Sequence, residues 1–211
     1  MAYPTVDKPY GLKPINLIGG QVFAGSTRQL AITTSSVNNS TPIFYGDVVK
    51  LGSGGTVVVG TLSNQTSFVP GTIGVFLGCS YTNPATKQKV FQQYWPGYAS
   101  GVTDAFAYVV DDPDTLFKAV SVGSTADTTG LTPTALAQTV LGNNVQLVLN
   151  TGDTTTGDSR VGVYWDSGAP TATYGFRIVD LVPETATANG FLEVVVKFNF
   201  GFHSYYNATG V

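Results

Sequence analysis

A hydrolytic nucleophile needs a base to take its proton, and the chain offers one candidate for each role. The only histidine is His203, at the end of the last apolar run, and Ser159 lies in Gly157-Asp158-Ser159. Gly-x-Ser-x-Gly is absent and the serine block lies near the wrong end of the chain for a nucleophile of that kind, so the two read as a surface histidine and a turn serine. Asp111, Asp112 and Asp114 could converge on a hard cation such as Ca²⁺. Pro113 between them more simply makes a tight turn whose carboxylates bond nearby backbone amides. Asp153 and Asp158 lack the spacing of a calcium loop. One Cys, Cys79, and one His cannot supply the four ligands of a conventional zinc site. Gly52-Ser53-Gly54-Gly55 is no phosphate cradle, because a second strand pattern follows it where a helix is needed. No catalytic residue, cofactor or metal ligand is assigned.

Aromatic side chains, 12% of the chain, are the remaining candidates for binding. Tyr94, Trp95 and Tyr98 cluster around Pro96-Gly97, where they could stack on sugar rings or anchor a protein interface; packing in the core or a loop is the plainer reading. Phe198, Phe200 and Phe202 share one face of the last strand by period two. That stripe reads as core, continuing through Tyr205 and Tyr206 toward a neighbouring subunit.

The elements that must position these residues are strands. Pro4, Pro9 and Pro14 disfavour helix over the first 20 residues, which read as an extended arm ahead of one β-rich domain, 21–211. Strand patterns follow at 27–34, 47–51, 56–61, 73–81, 88–95, 106–110, 116–122, 145–149, 160–165, 174–182 and 191–202. The glycine run 52–55 and Asn83-Pro84-Ala85-Thr86 mark hairpin turns. Loops are predicted at 35–41 and 151–159. One short helix is predicted over Pro133 to Leu141, with Thr132 as N-cap and Gly142 past its end. Short strands separated by turns, without helical crossovers, predict an all-β fold: an antiparallel sandwich or barrel, jelly-roll-like or β-tulip-like.

Charge narrows the partners. Charged residues make up 11% and the net charge is −3, so no basic face is expected for nucleic acid or an anionic membrane. No signal peptide or membrane span is expected either. The single cysteine allows no intramolecular disulfide, which suits assembly in the cytoplasm. The sequons at Asn38, Asn39, Asn64 and Asn207 are expected to be ordinary polar turns.

Several blocks, in order, resemble a family of tailed-bacteriophage head proteins common in marine and cyanobacterial phages. They are Asp7-Lys8-Pro9-Tyr10-Gly11-Leu12-Lys13-Pro14, Phe44-Tyr45-Gly46-Asp47-Val48-Val49, Asp111-Asp112-Pro113-Asp114 with Phe117, Gly142-Asn143-Asn144, Gly157-Asp158-Ser159, Phe176 to Val182, and Val194 to Asn199. The resemblance implies a β-rich, non-enzymatic capsid decoration or cement protein bound to the major capsid protein on the outer surface of the head. It transfers no catalytic residue. Such a protein is expected to form homo-oligomers, a trimer ahead of a dimer. The arm residues Tyr3, Pro4, Tyr10, Leu12 and Ile15, with Tyr205 and Tyr206, are the expected contacts to capsid or subunit. The competing expectation is a carbohydrate-binding or receptor-binding module of a phage fibre, with Tyr94, Trp95 and Tyr98 as its stacking platform.

Overall fold

A computed structural model describes residues 6–34, 41–52, 54–60, 71–97, 101–123, 136–165, 172, 174–185 and 191–208. The described strands are β1 (Lys13–Leu17), β2 (Arg28–Ala31), β3 (Val48–Leu51), β4 (Val57–Val59), β5 (Thr72–Thr82), β6 (Lys89–Gln92), β7 (Phe106–Val110), β8 (Thr115–Val120), β9 (Asn144–Val148), β10 (Gly162–Tyr164), β11 (Phe176–Val182) and β12 (Glu193–Phe198). They form two antiparallel sheets packed as a sandwich. The first runs β1-β8-β12-β11-β9-β10; the second runs β2-β7-β5-β3-β4, with β6 extending the ladder on β5. A single bridge, Ile32 with Val57, spans the ends of the second sheet. One bridge is not a ladder, and the barrel alternative gives way to the sandwich.

Local sequence explains both predicted hairpins. β3 and β4 pair across the glycine run, where Gly52 and Thr56 close the loop through Gly52 N–H to Thr56 carbonyl at 2.8 Å. β5 and β6 pair across Asn83, whose side-chain oxygen accepts from the amides of Ala85 and Thr86. The Asp111–Asp114 turn does something else: β7 belongs to the second sheet and β8 to the first, so this turn carries the chain between layers.

The interior holds two large apolar clusters and a smaller one of Val120, Val122, Val148 and Phe191. Between the sheets, Val48, Val75 and Val110 meet Phe117, Phe176, Val196 and Phe198. Phe198 stands edge-on to Phe117 at 5.7 Å and lies 4.7 Å from Phe176, ring contacts that add to plain area burial. The second cluster holds Ile43, Val49, Phe76, Cys79, Trp95 and Val109. β5 serves both, because register shifts against β3 and β7 re-aim its side chains. At Gly74 the approach is so close that a Cβ would lie 2.0 Å from the Val110 carbonyl oxygen.

Three expectations change. The predicted arm is not separate from the domain: Leu12 is 0% exposed in the main core, and Lys13–Leu17 is strand β1, paired with β8. β1 is an edge strand, so Pro14 removes an N–H without leaving a partner strand unsatisfied. The predicted helix is a single 3-10 turn, Gln138–Val140, entered from Ala137 with no side-chain cap; Thr132 and Pro133 lie outside the described residues. Gly142 does close it, at φ +83, donating its N–H to the Ile178 carbonyl. The third change breaks the phenylalanine stripe. β12 ends at Phe198 because Asn199 turns the chain, its amide group donating to the carbonyls of Ala172 and Tyr174. Phe202 returns to the core and Phe200 points out, 81% exposed.

Leu12→Ala is expected to cost about 2–5 kcal/mol of stability, the range for a buried leucine that leaves a cavity. Urea unfolding measures it, and a loss below about 1 kcal/mol would mean that residues 6–12 do not form part of the core.

Candidate functional site

Three stretches far apart in sequence meet around the carboxylate of Asp47. The Ser159 hydroxyl donates to one oxygen at 2.6 Å, and the Phe44 amide donates to the other at 2.7 Å. Ser159 Oγ accepts in turn from the Val161 amide at 3.1 Å. Backbone bonds lock the same place: Leu12 N–H to Gly46 carbonyl, Gly11 N–H to Val161 carbonyl, and Ser159 N–H to Tyr45 carbonyl. Gly11 and Gly46 must be glycines here. Both have φ near the left-handed region, +80 and +93, and a Cβ on Gly46 would lie 2.8 Å from the Leu12 nitrogen.

Ser159 and His203 are each bonded to other groups. Ser159 is buried and bonded to a carboxylate. His203 is buried too, against the expectation of a surface histidine, and its Nε2 bonds the Ile73 carbonyl at 2.8 Å. Its Nδ1 accepts from the Tyr205 amide, which fixes the neutral ring with the proton on Nε2. Burial lowers its pKa and outweighs the Ile73 bond, so the ring stays neutral. Neither ring nitrogen is directed to Ser159.

The aspartates of the interlayer turn are each engaged by protein groups. Asp111 pairs with Arg28 at 2.8 Å and accepts from the Tyr205 hydroxyl. Asp112 accepts from the Asp114 amide, closing the turn, and Asp114 pairs with Lys197 at 2.5 Å. No cluster of three metal-ligating side chains occurs among the described residues.

The predicted contact residues scatter. Tyr3, Pro4 and Tyr98 lie outside the described residues. Tyr10 donates its hydroxyl to Glu193, which also pairs with Lys118; this buried group ties the chain's start to β12 and β8. Leu12 is core and Ile15 is half-buried in β1. Trp95 is 0% exposed, edge-on to Tyr81 at 5.2 Å, so it cannot be a stacking platform. Its backbone exchanges both hydrogen bonds with Ile43, which draws it into the second cluster. Tyr94 is half-buried, stacked on Phe44.

Tyr205 and Tyr206 do reach the surface, and they have company. Ile18, Phe200 and Tyr206 border a groove of about 340 Å³ over β11 and β12. Phe200 stacks on Tyr206 with ring centres 6.2 Å apart. The cations at its border are engaged already, Arg177 with Asn144 and Asn199, and Lys197 with Asp114. Ile18 carried no sequence signal, because its neighbours in the groove come from the other end of the chain. Phe91 did carry one: it shares a period-two face with Lys89 and Gln93, the solvent side of an edge strand, and it is 71% exposed.

Comparison with protein-family models, with curated proteins and with solved structures finds no match.

The Asp47 carboxyl is pushed up to about 6 by burial, against the smaller lowering effects of Ser159 and the Phe44 amide. A raised folded pKa means that the group favours folding most at low pH, and that this contribution is lost as pH rises from about 4 through 6. Carboxyl carbon NMR should show Asp47 titrating near 6, and Ser159→Ala, which removes a donor, should move that midpoint upward. A midpoint near 4 in the native protein would contradict the buried geometry.

Proposed function

We propose that this chain is a non-enzymatic virion protein that decorates and cements the outside of a tailed-phage head. The single observation that carries the reading is the exposed aromatic patch of Ile18, Phe200 and Tyr206. Apolar side chains left in water at a groove, with Lys197 paired to Asp114 and Arg177 hydrogen-bonded to two asparagines, suit docking against another protein surface. Burying one such ring contributes about 1.5–3 kcal/mol, and repetition by symmetry turns modest contacts into firm attachment. The ordered blocks resembling phage head proteins support the same assignment.

The partner in this reading is the major capsid protein, together with further copies of the chain, in a trimer ahead of a dimer. Assembly would take place in the host cytoplasm and the protein would reside on the outer face of the head. The contacts move from the first residues to the C-terminal end: Phe200, Tyr205 and Tyr206, joined by Ile18, replace Leu12 and Tyr10. Because the exposed side chains of the patch, Ile18, Phe200 and Tyr206, are apolar or uncharged, attachment should tolerate salt.

Purified protein mixed with mature heads lacking it should cosediment saturably, at a fixed stoichiometry, with little change between about 0.1 and 0.5 M salt. The double variant Phe200→Ala/Tyr206→Ala should fold normally and bind at least tenfold more weakly. Absence of saturable binding by the native chain would overturn the cement role, and unchanged binding by the double variant would overturn the patch.

A further inference from the structure

A second groove lies beside β5, β6 and β7, with Lys13 of β1, Tyr45 and Asp158 also on its lining. It has a volume of about 580 Å³, within the span of small-ligand sites. Gly78 of β5 contributes to its floor, opposite Tyr108 in the β5–β7 ladder. Tyr45, Tyr108 and Phe91 give it three aromatic rings, and Gln93 and Asp158 give it a carboxamide and a carboxylate.

The chemistry of this lining is specific in what it suits. One cation, Lys13, and one anion, Asp158, leave it without net charge, so neither a phosphate nor a cationic ligand is favoured. Donors and acceptors are mixed. The Gln93 amide donates to Asp158 at 3.0 Å, which leaves its carbonyl oxygen and further carboxylate lone pairs to accept. Burial first, and then the Asp158 charge, raises the Tyr45 hydroxyl above its ordinary value, so that it remains a protonated donor. Tyr108 holds its hydroxyl on Ser80 at 3.3 Å, which steadies the ring. Phe91, also on the lining, is 71% exposed, an apolar ring open to solvent.

A ligand that meets these terms has no charge, carries many hydroxyls that both donate and accept, and has flat C–H faces for aromatic rings. We propose that this groove binds a short neutral oligosaccharide, with Phe91 and Tyr108 against sugar ring faces and Asp158 and Gln93 on hydroxyls. The site is separate from the aromatic patch that would meet the capsid, and it stands whether or not the chain is a cement protein. It differs from the Tyr94/Trp95/Tyr98 platform, whose tryptophan is buried.

The test is a titration of the full ¹⁵N-labelled chain with cellotetraose, maltotetraose and N-acetylchitotetraose, each to about 10 mM, with inorganic phosphate as the charged control. At least one saccharide should shift the amides of Gly78, Phe91, Gln93 and Tyr108 saturably, and phosphate should not. Phe91→Ala should weaken that binding roughly tenfold, and Gln93→Ala several-fold. Both side chains are exposed, and the spectra themselves report that each variant is folded. No saturable shift with any of the three sugars, shifts confined to other residues, or equal binding by both variants would overturn the proposal.

Discussion

The Asp47 carboxylate accepts hydrogen bonds from two places that lie more than a hundred residues apart, and the crossing of Gly11 over Gly46 depends on that attachment. The Ser159 bond adds to the backbone bonds between Tyr45 and Gly157 and between Ser159 and Tyr45 that hold the loop before β10 against the segment before β3. Without the glycines, the backbones could not approach closely enough for Leu12 to reach the main core. Burying a carboxylate is unfavourable by itself, and only the full set of donors makes it tolerable. The two sheets are therefore joined by a polar clamp as well as by apolar packing.

Several of the stretches singled out in the sequence pair with one another in space. The stretch around Gly11, the stretch around Gly46-Asp47 and Gly157-Asp158-Ser159 all meet at the clamp. Gly142-Asn143-Asn144 meets the Phe176–Val182 stretch through Gly142 N–H to the Ile178 carbonyl, Ile178 N–H to the Asn143 carbonyl, and Arg177 to the Asn144 side chain. The aspartate turn meets Lys197 and Tyr205. The grooves draw on the same stretches: Lys13, Tyr45 and Asp158 line one together with Phe91 and Tyr108, and Arg177 and Lys197 line the other together with Ile18 and Phe200. The contacts that join these stretches are remote in sequence, whereas the hairpin turns close locally.

That division explains what could be read in advance. Strands and hairpins declare themselves by local alternation and by turn chemistry, as at 52–55 and at Asn83. The prolines near the start argued for a free arm, but the argument assumes a strand bonded on both sides, and β1 has one neighbour. Trp95, for which core packing is one of the plainer readings, is drawn inside by its pairing with the distant Ile43, and the sugar-stacking alternative falls. Phe200 looked like core because period two continues on paper past Asn199; the amide group of that asparagine ends the strand through contacts 25 and 27 residues away. Each misreading comes from a partner remote in sequence.

Edge strand β1 has a further consequence, for the order in which the molecule can be completed during synthesis. Its partner β8 leaves the ribosome about a hundred residues later, and β8 is itself flanked on its other side by β12. Until then the first strand has only its local bridge, Asn16 with Val22, while the second sheet takes shape. A waiting strand is a hazard, since its open amides and carbonyls invite other nascent chains. Pro9 and Pro14 remove donors from that stretch and Gly11 bends it, so the early segment is a poor template for foreign pairing while remaining a good fit for the one edge it is meant to find.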